Sequence, residues 1–128
     1  MGARAADADA VAAPMRFPRT RRLRTPADFK RVYAQGRRIS NDLFTVNMLP
    51  NDRSLARLGM SVAVRTMGGA VGRNRLRRMI RESFRLHQSL LPALDLVIGV
   101  RSTARTAPAA QIRSSLEQLW RRLCRVPA

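Results

Sequence analysis

Lysine is nearly missing from this chain, with Lys30 its sole example among 25 basic residues. Cysteine occurs once, as Cys124, which excludes an intrachain disulfide framework and suits a reducing compartment. Histidine also occurs once, as His87, and the eight carboxylates are scattered. A self-contained catalytic site needs converging titratable groups, and a metal site needs clustered ligands. The chain offers neither, so no catalytic residue and no protein metal site are expected. No apolar run approaches the ~18–20 residues of a membrane span. The opening MGARAADADAVAAP carries Asp7 and Asp9 and lacks the apolar centre of a signal peptide. Ala6 stands where a myristoylation pattern wants Ser or Thr. A cytoplasmic location without membrane attachment is expected.

What the chain has in excess is arginine. The formal net charge is +17 and the isoelectric point is near 12.0, a field that attracts polyanions. Guanidinium forks onto phosphate and stacks on bases, which ammonium does poorly. The charge is densest in Gly68–Leu91, GGAVGRNRLRRMIRESFRLHQSLL. At about 100° per residue, Leu76, Met79, Ile80, Ser83, Leu86, His87 and Leu90 share one arc, and Asn74, Arg77, Arg78, Arg81 and Arg85 oppose them. Arg73 and Arg75 flank the basic side. Like charges at i,i+4 repel by a few tenths of a kcal/mol, and Arg73, Arg77, Arg81 and Arg85 repeat that spacing. An external polyanion accounts for the stripe better than a solvated face.

With 128 residues and 45% apolar content, one domain with one core is expected. Residues 1–15 lack any period and read as a disordered tail, with a single polyanion-binding domain over 16–126, an RNA-binding one by the resemblance given below. Arg16, Arg19, Arg21, Arg22 and Arg24 form a basic arm. Thr25-Pro26-Ala27-Asp28 starts a helix that Gly36 ends, with Phe29, Val32 and Tyr33 in one stripe. Strands are expected over 43–49, 58–64 and 94–100, the first two antiparallel, with Arg37–Asn41 as a further edge strand. Pro92 stops the basic helix, and Pro108 opens a last helix carrying Ile112, Leu116, Leu119, Trp120 and Leu123. The order α–β–β–α–β–α predicts an α/β (α+β) two-layer sandwich, a mostly antiparallel sheet of 3–4 strands with three helices.

Gly68-Gly69-Ala70-Val71-Gly72 opens the basic helix, where exposed N–H groups bind phosphate; a plain glycine turn is the alternative. Among the few aromatics, Phe29, Tyr33 and Phe44 could stack unpaired bases, with core packing the default explanation for Phe29 and Phe44.

Val71-Gly72-Arg73-Asn74-Arg75-Leu76-Arg77-Arg78-Met79-Ile80-Arg81-Glu82 closely resembles the Arg-Asn-Arg signature of the bacterial ribonuclease P protein subunit. Phe17-Pro18, Thr25-Pro26 with Phe29, Leu58-Gly59-Met60-Ser61-Val62, Leu91-Pro92-Ala93 with Asp95, and Leu119-Trp120-Arg121-Arg122 follow in that family's order. The resemblance covers about residues 16–125. It implies that catalysis belongs to a partner RNA whose bound Mg2+ drives removal of the 5′ leader from precursor tRNA. Arg65, Arg73, Asn74, Arg75, Arg77, Arg78, Arg81 and Arg85 would contact RNA, with Val64-Arg65 standing where many relatives carry two lysines. Phe29, Tyr33 and Phe44 would line the leader cleft. The resemblance also implies one protein monomer per RNA and a left-handed β–α–β crossover, against the general rule. A ribosomal or KH-like RNA-binding scaffold is the alternative.

Overall fold

Proline at position 26 fixes where the first helix begins. The computed structural model describes residues 22–23, 25–63 and 66–124; the 1–15 tail, most of the basic arm and Arg65 lie outside the described residues. Helix α1 spans Pro26–Gln35, capped by Thr25, whose Oγ1 accepts the Asp28 N–H at 3.1 Å. Gly36 closes it by donating its N–H to the Val32 carbonyl at 2.8 Å. Its backbone is extended rather than left-handed. Glycine is required there because a Cβ would sit 2.5 Å from the Val32 oxygen and 2.7 Å from the Met48 oxygen.

Strands β1 (Arg37–Ser40), β2 (Phe44–Pro50) and β3 (Arg57–Ser61) follow, then α2 (Ala70–His87), β4 (Leu94–Val100) and α3 (Ala109–Leu123). The sheet order is β1-β2-β4-β3. The β1–β2 and β2–β4 pairs are antiparallel and β3–β4 is parallel. The expected edge strand is therefore β1, and the expected strand 58–64 ends at Ser61. β2 and β3 run in opposite directions, as anticipated, but β4 lies between them. Its first five residues are all buried, the mark of a strand covered on both faces. Helix α2 makes the crossover between the parallel strands.

One face of the sheet carries Phe44, Val46, Met48, Leu58, Leu94, Leu96 and Ile98 into the main core. Covering them are Leu76, Ile80 and Phe84 of α2 and the five expected apolar residues of α3. The Trp120 and Phe84 rings meet edge-to-face at 5.9 Å, and the indole N–H donates to Ser83 Oγ at 2.8 Å. That bond satisfies two buried polar groups at the α2–α3 seam. Among the described residues the opposite face is covered only in part, by α1 and Leu23, where Leu23, Val32 and Val97 form a small cluster with Phe29 and Leu49.

Two expectations about α2 and the aromatics are corrected. Leu86 and Leu90 do not cover the core; they are 48% and 70% exposed, while Phe84 is fully buried. The apolar residues of α2 fall on two stripes, and only the one through Leu76, Ile80 and Phe84 meets the sheet. Phe44 is 0% exposed because strand alternation turns it toward α2 and α3, so it cannot line a cleft on the α1 face.

Candidate nucleic-acid interface

The register fixes what the partly covered face presents. Thr45, Gly99 and Ser61 form a row across β2, β4 and β3; Asn47, Val97 and Gly59 form the next; Leu49, Asp95 and Arg57 form the third. Arg38 stands opposite Asn47 on β1. Helix α1 lies over the second and third rows, with Val32 against Val97. Phe29 rests on Gly59, where a Cβ would come within 2.7 Å of the ring. Among the described residues the first row stays open and floors a groove of about 570 Å³, lined among others by Tyr33, Arg38, Thr45, Asn47, Ser61 and Arg101. Tyr33 is 49% exposed at its wall.

Of the three aromatics expected in a cleft, Tyr33 alone lines this groove. Phe29 is half-buried and borders a separate cleft at the β3 edge, shared with Arg22, Arg77 and Arg81. Phe44 is on the wrong face. The reading from sequence missed Arg38, Thr45, Asn47, Ser61 and Arg101. The available signal was the alternation in β2, whose apolar Phe44, Val46 and Met48 imply that Thr45 and Asn47 face the other way.

A buried carboxylate fixes the position of α1. Asp95 accepts from Arg57 Nε at 2.8 Å and Nη2 at 2.7 Å, from Asn51 Nδ2 at 2.8 Å, and from Arg31 Nη2 at 2.6 Å. Burial alone would raise its pKa. The hydrogen bonds from Arg57 and Asn51, with the charges of Arg57 and Arg31, outweigh that and hold it below the ordinary carboxylate range. The same contact raises the pKa of Arg57. Arg31 belongs to α1, so the cluster pins the helix that carries Tyr33.

On α2, Gly68 and Gly69 adopt positive φ, 76° and 139°, a turn that favours glycine. Beyond it the arginines part into two sets. Arg73 Nε donates to the Val62 carbonyl at 2.7 Å, and Arg77 and Arg81 continue along the β3 edge beside Phe29. Burial first, then the charges of Arg73 and Arg81, push the Arg77 guanidinium below its usual range, the repulsion anticipated from the spacing. Asn74 is exposed. Arg75 and Arg78 turn toward α3, and Arg85 pairs with Glu82.

A basic helix next to a half-open, polar-floored groove on an α+β scaffold defines a nucleic-acid-binding protein. The ribonuclease P family pattern matches residues 17–124. The RNase P protein of Staphylococcus aureus is 36% identical, with a TM-score of 0.76 over 83% of this chain and 96% of that one. The RNase P protein from Thermotoga maritima is 30% identical, with a TM-score of 0.72 over 84% of this chain and 98% of that one. The chain belongs to the ribonuclease P protein family. Its role is that of the protein subunit in tRNA 5′ processing, with an RNA partner and a tRNA substrate. Among the described residues, no helix is long and apolar enough to cross a membrane.

Proposed function

We propose that this chain binds the catalytic RNA through Arg73, Asn74, Arg75, Arg77, Arg78 and Arg81, and holds the 5′ leader of precursor tRNA in the groove between α1 and the sheet. Tyr33 stacks an unpaired leader base, Arg38 and Arg101 meet its phosphates, and Thr45, Asn47 and Ser61 offer hydrogen bonds from the floor. Phe29 supports that wall from Gly59. One monomer acts per RNA, in the cytoplasm.

Among the described residues no three His, Cys, Asp or Glu side chains gather as a metal site requires, and the oxygens of Asp95 are taken by Arg57, Arg31 and Asn51. This proposal leaves the family's magnesium to the RNA. Phosphodiester hydrolysis then belongs to the RNA, while the protein contributes grip and position.

The observation that carries the proposal is the open row of the sheet walled by Tyr33 and bordered by Arg38 and Arg101, with Arg77 and Arg81 of α2 on a separate cleft at the β3 edge. Reconstitution tests it. Protein freed of RNA should cleave no precursor tRNA, and adding it to the catalytic RNA should stimulate 5′ processing. Cleavage that tracks the RNA-free protein through fractionation, or no effect on the RNA's activity, overturns it.

A further inference from the structure

Beside the stripe that packs on the sheet, α2 turns a second side toward α3, on which Met79 still packs against the core and Leu86 stands exposed. Met79, Ser83 and Leu86 floor a groove of about 520 Å³ against α3, bordered by Arg75, Arg78 and Arg113. That volume lies in the range of small-ligand sites, roughly 300–1,000 Å³, and Leu86 is half exposed within it. Two carboxylates also border it, Glu82 and Glu117. Glu82 is engaged by Arg85, so three guanidinia converge on the groove with Glu117 as the remaining acid.

An apolar floor with a cationic rim complements a nucleotide, whose base has apolar faces and whose flanking phosphates are anionic. Glu117 can accept a hydrogen bond from an exocyclic amino group. Arg75 and Arg78 belong to the same helix as Arg73, Arg77 and Arg81, so the groove continues the basic face. It lies on the helical layer, with the sheet between it and the Tyr33 groove, so a leader bound there does not reach it.

We infer that the α2–α3 groove receives an unpaired base of the catalytic RNA, with Met79 and Leu86 against the base and Arg75, Arg78 and Arg113 on the adjoining phosphates. This rests on the assignment of α2 to the catalytic RNA made above. The test is nucleotide-resolution chemical probing of that RNA, alone and bound to wild-type, Leu86→Glu and Arg113→Glu protein. Both positions are exposed, and circular dichroism and melting establish that each variant is folded.

One unpaired nucleotide should become protected with wild type and regain reactivity with both variants. Affinity for the RNA should fall severalfold with each variant, through the lost apolar contact at Leu86 and the lost phosphate contact at Arg113. A wild-type footprint that neither variant changes overturns the groove assignment alone. No wild-type protection anywhere on the RNA overturns the assignment of α2 as well. A wild-type dimer that both variants dissociate would put a second copy in the groove and overturn it too.

Discussion

Arg57 and Asp95 face each other from neighbouring parallel strands, and the guanidinium grips the carboxylate with both prongs, at 2.8 and 2.7 Å. Both side chains are buried, Asp95 completely. Arg31 reaches the same carboxylate from α1 at 2.6 Å. Three elements therefore meet at one charge, and the helix bearing Tyr33 is tied to the strands that floor its groove.

Asp95→Asn should destabilise the protein by about 3 kcal/mol at neutral pH, because it removes the carboxylate that Arg57 grips with both prongs and leaves that buried guanidinium only Asp28, at 4.0 Å. Denaturant unfolding measures this. The folded carboxyl titrates below the ordinary value of about 3.9. Its stabilisation is complete above that ordinary value and is lost as pH falls through the depressed folded one. The gap between wild type and variant should therefore narrow on acidification below about pH 4. A gap that stays constant would place the acid sensitivity elsewhere.

Arg77→Ala and Arg81→Ala should each remove roughly 0.7–0.9 from the log–log salt slope of binding to the catalytic RNA. Neither should destabilise the free protein greatly, since Arg77 sits against the charges of Arg73 and Arg81. Binding titrations over a salt series, with melting curves alongside, separate the two effects. Wild-type slopes in both variants would make the basic stripe a solvated face.

Much of this architecture was legible in residue order. The Thr25-Pro26 cap follows from local capping chemistry and the five apolar residues of α3 from local periodicity, and each is where it was expected; the basic stripe of α2 keeps Arg73, Arg77 and Arg81 together, while Arg85 pairs with Glu82. Less legible was anything set by pairing. That β4 sits between β2 and β3 depends on which strands meet, and a local window holds no such information. Phe44 enters the cleft only through the resemblance; the default reading, core packing, agrees with the alternation that places it with Val46 and Met48. Asp95 stood in sequence as one acid inside an apolar strand, with Arg57 thirty-eight positions away, and only the fold brings them together. The Tyr33 groove was partly visible, in one wall and none of the floor.

Phe44→Ala should cost about 3–5 kcal/mol of stability, as for a large side chain removed from a packed core. Where the variant remains folded, affinities for precursor and mature tRNA should fall together or not at all. A selective loss for precursor, in a protein of undiminished stability, would return Phe44 to the leader groove.

Tyr33→Ala should have the opposite profile. Its ring is half exposed on α1, and Val32 beside it carries the packing against Val97, so removing the ring should cost little stability. Base stacking is worth ~1–3 kcal/mol by alanine substitution, which corresponds to roughly five- to a hundredfold weaker binding of precursor tRNA within that range. Mature tRNA has no leader, so its affinity should stay close to wild type. General unfolding would depress both ligands, which makes their ratio the quantity to follow. Both affinities are to be measured with the reconstituted complex, at one salt concentration, after circular dichroism confirms the fold. Equal losses for precursor and mature tRNA would remove the leader from this groove and leave Tyr33 as a surface residue of α1.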